Sequence, residues 1–172
     1  MSWTQSDIDA AKRRMGSVKE SLTVRARFFV QGQPKPQPRV KACRTGAFTR
    51  MYTPKTADAW KKAVRGACIV AALEKPLQGA LGLSVMFYLP RPQAHYHPKN
   101  SRHNGELREN APTFDTSKMD GDIDNLLKST MDAITDSRRI WLDDAQVSIV
   151  GATKTYADSD REIGAMIEIS EI

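Results

Sequence analysis

Between Asp122 and Tyr156 the chain changes its hydrophobic period, which limits it to folds in which a helix hands over to a strand. Leu126, Leu127, Thr130, Met131 and Ile134 recur at helical spacing. That spacing predicts a helix beginning near Asp124, with Asp122 in an extended lead-in. The run QVSIVGATKTYA that follows is rich in β-branched residues and reads as a strand. Inside a helix, side chains two residues apart would diverge by about 200°. An extended residue followed by a helix start instead brings the Asp122 and Asp124 carboxylates together at a helix N-terminus, where the partial positive charge favours ionised Asp. Lys128 falls one turn, about 6 Å, further along the face of Asp124.

A second acidic pair, Asp143 and Asp144, precedes the strand. Strand parity groups Asp144 with Gln146 and Ser148 on the polar face, opposite Val147 and Ile149, so Asp144 is expected in a site with Asp122 and Asp124 and Asp143 outside it. Gathered carboxylates suit a hard cation. Mg²⁺ takes oxygen ligands and is commonly held by one or two carboxylates together with substrate phosphate oxygens.

The surrounding charge supplies the reason to expect phosphate. Residues 1–65 carry 15 Lys and Arg against 4 Asp and Glu, net +11, whereas the remainder is net −5 within an overall +6. Arg39, Lys41, Arg44, Arg50 and Lys55 lie in a Pro-rich stretch with Phe48 and Tyr52. Such a loop suits DNA-backbone contact and stacking on a base, the plainer alternative being a solvated basic face. Carboxylates plus a basic surface point to metal-assisted cleavage of a nucleic-acid backbone, with Lys128 offsetting developing charge.

The run GDIDNLLKSTMDAITDSRRIWLDDAQV closely resembles the signature of RusA-type Holliday junction resolvases, D-x-DNL-x-K, then LDAL, then DD-x-Q. The resemblance extends over roughly residues 24 to 170, and FFVQGQPKPQPRVKA is similar to the family's first strand and basic loop. It implies that Asp122, Asp124, Lys128 and Asp144 are catalytic. It also implies Mg²⁺, with Mn²⁺ able to substitute, and a homodimer that nicks two opposed strands of a four-way DNA junction; many members come from phages or prophages. Where many members carry Lys-Pro-Asp, this chain has Asp120-Gly121-Asp122, which sets a spare carboxylate, Asp120, beside the site as a competing ligand.

The wider reading is an α+β single domain with helices packed on a mixed β-sheet. Residues 1–22 are expected to form an accessory helical segment, with a helix from Gln5 to Lys19 behind Thr4, and residues 23–172 the nuclease-like domain. Val24, Ala26, Phe28 and Val30 alternate as a strand, followed by a loop from Gly32 to Thr45. Thr56 is expected to cap a helix through Trp60, Val64, Cys68 and Ala71, and LGLSVMFYL and IGAMIEI read as further strands. The segment 90–117 is polar and aperiodic, and is expected to be a DNA-contacting or mobile arm.

Duller roles compete at each position. Asp122 or Asp124 would serve as an N-cap alone, and Lys128 would pair with Asp124 or Asp132 on the helix surface. His95, His97 and His103 lack a close Cys or acidic partner for zinc. Trp60 and Trp141 are expected in the core rather than against DNA. Cys43 and Cys68 form no disulfide framework and fit a reducing, cytoplasmic setting. No apolar run is long enough for a membrane span. Two rival functions remain: a non-catalytic basic DNA-binding module, separated by metal-dependent nicking, and a less selective nuclease of flaps or forks, separated by competition with linear duplex.

Overall fold

The computed structural model describes residues 22–45, 48–117 and 120–172. The helix expected over 5–19 lies outside them. Four strands make one mixed sheet: β1 (Thr23–Gln31), β4 (Leu81–Leu89), β5 (Val147–Tyr156) and β6 (Gly164–Glu171), in the order β1-β6-β4-β5. β6 runs antiparallel to both β1 and β4, and β5 lies parallel to β4. A parallel pair cannot be closed by a tight hairpin, so the chain between β4 and β5 must cross over, and that crossover contains the helix expected from the apolar spacing.

Two helices, α1 (Asp58–Val70) and α2 (Ile123–Ser137), pack on each other and cover one sheet face. Alternation decides which residues they cover. Ala26 and Val30 of β1, Leu81, Leu83, Val85 and Phe87 of β4, and Ala165, Ile167 and Ile169 of β6 enter the core, joined by Trp60, Val64 and Cys68 from α1 and Leu126, Ala133 and Ile134 from α2. Each large apolar side chain so buried contributes about 1.5–3 kcal/mol. Burial also pushes the Cys68 thiol up to about 11, because the thiolate would be left in an apolar site. The opposite sheet face is open, with Phe29, Met86 and Met166 partly exposed across three neighbouring strands. The α+β architecture expected from the sequence is the one observed, and Trp60 and Trp141 are both core residues.

Local details depart from expectation in four places. The stretch read as a loop to Thr45 ends in a strand, β2 (Lys41–Thr45), which pairs antiparallel with β3 (Phe48–Tyr52) as a separate two-stranded ribbon. Cross-strand pairing organises it without any buried face, so no apolar alternation announces it. Thr56 does not cap α1; the N-cap position is Ala57, and no side chain bonds there. Asp144 is not on a strand but in a single 3-10 turn, Asp144–Gln146, with β5 starting one residue later. Finally, the arm 90–117 is folded back on itself. His97 N donates to Glu106 O and Arg108 N to His95 O, and Phe114 bridges to Thr155 on β5. Among the described residues, no helix is long and apolar enough to cross a membrane.

Candidate functional site

Asp122 occupies the N-cap position of α2 in an extended conformation (φ −73°, ψ 148°), and Asp124 lies in the first helical turn. The extended lead-in and the helix start therefore do bring the two residues to one place. Their carboxylates line an open cavity of about 490 Å³ with Phe114, Asp115, Ile123, Ala152, Thr153 and Lys154. Asp122 makes no capping hydrogen bond, so the cap-only role is not what its side chain does. Two exposed carboxylates with no protein partner among the described residues, beside a helix N-terminus, are hard oxygen donors available to a cation. Among the described residues, no three His, Cys, Asp or Glu side chains form a ready-made cation cage. A site that holds Mg²⁺ through two carboxylates and leaves the rest to phosphate and water does not need one.

The other residues singled out from the sequence are placed differently. Lys128 projects from the exposed side of α2, its Nζ 3.5 Å from Asp132 Oδ1, and does not line the cavity. Asp144 also lies outside the cavity lining, in the turn that abuts α2. Its neighbour Asp143 has the structural role: the carboxylate accepts from Ala145 N at 2.9 Å. Gln146 completes that turn, accepting from Leu142 N and donating to Leu77 O. The DD-x-Q pattern thus owes two of its positions to a capping box that holds Asp144 in place. Arg39, Lys41, Arg44, Arg50 and Lys55 are all exposed, on or beside the β2–β3 ribbon. In the register, Tyr52 faces Lys41 and Arg50 faces Cys43, so Phe48, Arg50 and Tyr52 share a side with Lys41.

Sequence reasoning missed three residues. Asp115 is buried, its Oδ1 accepting from Tyr156 Oη at 2.9 Å and from Ser117 N at 2.8 Å, while Lys154 Nζ lies 3.1 Å from its Oδ2. Burial pushes its carboxyl up, but the Ser117 amide, Lys154 and the Tyr156 hydroxyl together outweigh that and hold it below the ordinary 3.8. Asp120 is pushed the other way, by burial and then by the negative charge of Asp115, against Lys35 and Lys154. The phenol of Tyr156 rises to about 12, through burial and its bond to Asp115. One signal for Lys154 was readable: it sits on the core-facing parity of β5, in register with the buried Phe87, and a lysine there needs an acidic partner. Nothing in the sequence names Asp115 as that partner.

The depressed Asp115 carboxyl carries a sign for stability. A carboxyl whose folded value lies below its unfolded value stabilises the fold above the unfolded value, and that contribution is lost as pH falls through the folded one. Wild-type stability is therefore expected to drop on acidification below about pH 4, and Asp115→Asn to drop less steeply there. Urea midpoints measured from neutral to acid pH for both proteins check this, and parallel curves would contradict it.

No curated protein matches the chain. The family model for endodeoxyribonuclease RusA matches residues 31–169, which include the ribbon, both helices, both acidic motifs, β4, β5 and most of β6. A match over most of the chain, on a fold that sets Asp122 and Asp124 side by side at the start of a helix, makes this protein a member of the RusA endodeoxyribonuclease family.

Proposed function

We propose that the protein is a metal-dependent, structure-selective endodeoxyribonuclease that acts as a homodimer on four-way DNA junctions, nicking two opposed strands. The observation that carries this reading is the pair of exposed carboxylates, Asp122 and Asp124, in one cavity within the family match. Asp122 and Asp124, with Asp144 as third carboxylate, would hold Mg²⁺ or Mn²⁺. When bound, the ion supplies Lewis-acid polarisation of the phosphoryl oxygen and a water of lowered pKa.

The remaining work falls to the chain's own groups. Lys128 is close enough in sequence to turn from Asp132 toward a bound phosphate and offset its developing charge, an exchange that costs little because exposed lysine pairs are weak. The ribbon binds the substrate: Arg39, Lys41, Arg44, Arg50 and Lys55 contact phosphates, while Phe48, 81% exposed, and Tyr52 offer rings for stacking. Junction preference comes from the spacing of two sites in a symmetric dimer, because phosphate contacts carry no sequence information. The setting is cytoplasmic, where DNA is available and the free thiols of Cys43 and Cys68 persist.

A strand-labelled synthetic four-way junction, incubated with protein and Mg²⁺ in the presence of excess linear duplex, tests the proposal. Paired symmetric nicks that vanish in EDTA are expected. Tight junction binding without nicks in Mg²⁺ or Mn²⁺ would replace the nuclease by a binding module, and equal cutting of junction, flap and fork would remove junction selectivity.

A further inference from the structure

Lys154 lines the same cavity as Asp122 and Asp124, yet its ammonium is committed to the protein. Its side chain is 13% exposed, and its Nζ donates to Gly121 O at 2.9 Å while lying 3.1 Å from Asp115 Oδ2. Asp115, with a fully buried side chain, is itself held by Tyr156 Oη and Ser117 N. Further down β5, Tyr156 N and Thr155 Oγ1 both donate to Thr113 O. The residues around Asp115 are thereby fastened to β5, and Lys154 extends the fastening to the peptide that precedes Asp122.

Gly121 is gripped from a second direction. Its φ is +93°, and a Cβ built there would meet Pro36 Cβ and Cγ at 2.7 Å. Pro36 presses on the α-carbon while Lys154 takes the carbonyl, so the orientation of the Asp122 peptide is set by two anchors. A buried ion pair is a poor way to gain stability alone, since an apolar pair of similar volume commonly serves as well or better. An ammonium that joins a sheet strand to one loop carbonyl does supply geometry, which an apolar side chain cannot.

We propose that Lys154, held by Asp115 and Tyr156, is a positioning residue that fixes the Gly121–Asp122 peptide and so the separation of the Asp122 and Asp124 carboxylates. This rests on reading those carboxylates as the reactive site. It gives the two lysines different roles: Lys128 is exposed on the helix surface, and Lys154 acts through the backbone beneath Asp122.

The test compares wild type, Lys154→Met and Lys154→Arg by three measurements: junction nicking in Mg²⁺, junction affinity in EDTA, and amide hydrogen exchange. Lys154→Met is expected to nick about a hundredfold more slowly, the scale of a reacting group displaced by about 1 Å. Its junction affinity in EDTA is expected to be unchanged, with amides 120–124 exchanging faster and those of β4 and β6 as in wild type. Lys154→Arg, which keeps charge and donors, is expected to recover part of both losses. Nicking by Lys154→Met within about threefold of wild type would overturn the proposal. So would an affinity loss that matches the nicking loss, which would make Lys154 a DNA contact. Faster exchange throughout β4 and β6 would also overturn it, making Lys154 a support of the whole fold. A wild-type protein that nicks no DNA would remove the nuclease reading, while the exchange data would still decide whether Lys154 fixes the peptide.

Discussion

Asp122→Asn and Asp124→Asn are each expected to slow junction nicking by about a thousandfold, the scale lost when one preorganised charge is removed from a reacting centre. Asn keeps the volume and one oxygen but removes the negative charge that a hard cation requires. Neither carboxylate makes a protein hydrogen bond or ion pair among the described residues, so the substitution strands no partner. Stability should therefore change by no more than the ~0.5 kcal/mol typical of surface substitutions. Removing negative charge beside a bound phosphate also reduces repulsion, so junction affinity in EDTA should hold or tighten. Nicking rate, affinity and thermal midpoint on the same preparations give the answer. Normal cleavage by either variant would strip that residue of its role, and a large fall in midpoint would mean that the carboxylate supports the fold instead.

Asp144 and Lys128 are held differently from the two cavity carboxylates. Asp144 sits outside the cavity lined by Asp122 and Asp124, held by the Asp143 and Gln146 capping box. The DD-x-Q motif of the sequence, and not proximity to the cavity, makes it a candidate. Lys128 is already paired with Asp132, which is also 3.3 Å from Lys61. It must give up that pairing to act on substrate, whereas Asp122 and Asp124 need give up nothing.

What the sequence disclosed about this site divides along a physical line. The helix from Ile123 to Ser137 and the strands β1, β4 and β6 were legible because each buries one face and so writes its period into the apolar residues. The extended Asp122 followed by a helical Asp124 was legible for the same reason, being the boundary of such a pattern. The β2–β3 ribbon was not, since all the residues of β3 are exposed and no period distinguishes it from a loop. Strand parity did not extend back to Asp144, which precedes β5, because the turn that holds it is organised by side-chain hydrogen bonds from Asp143 and Gln146, which leave no apolar trace. Asp115 was invisible for a third reason. Its partners Lys154 and Tyr156 are about forty residues away, and only the sheet brings them together.

The largest loss of stability is expected from Trp60→Ala, which should cost about 3–5 kcal/mol and lower the thermal midpoint by roughly 10–15 °C. Trp60 is 2% exposed at the contact between α1 and α2, and its indole Nε1 donates to Thr130 Oγ1 at 3.1 Å. Truncation leaves a cavity between two helices that the sheet prevents from collapsing. Trp60→Phe keeps most of the volume and loses the hydrogen bond, and should cost about 1–2 kcal/mol. Thr130 is not stranded in either variant, since its hydroxyl also bonds to Leu126 O at 2.9 Å. The polar links between the helices, Lys61 to Asp132 and Arg65 to Asp136, remain, but partly exposed pairs contribute only about 0–1 kcal/mol each and cannot replace the indole. Circular dichroism melts of the three proteins measure the loss, and a Trp60→Ala midpoint within a few degrees of wild type would refute it. Because α2 presents Asp124 from its first turn while Asp122 is fixed by its own loop, nicking measured well below the melting transition should fall far less than in the aspartate variants. The indole supports α2 at Thr130, in the middle of the helix, while the carboxylates stand at its N-terminus and take no part in that packing.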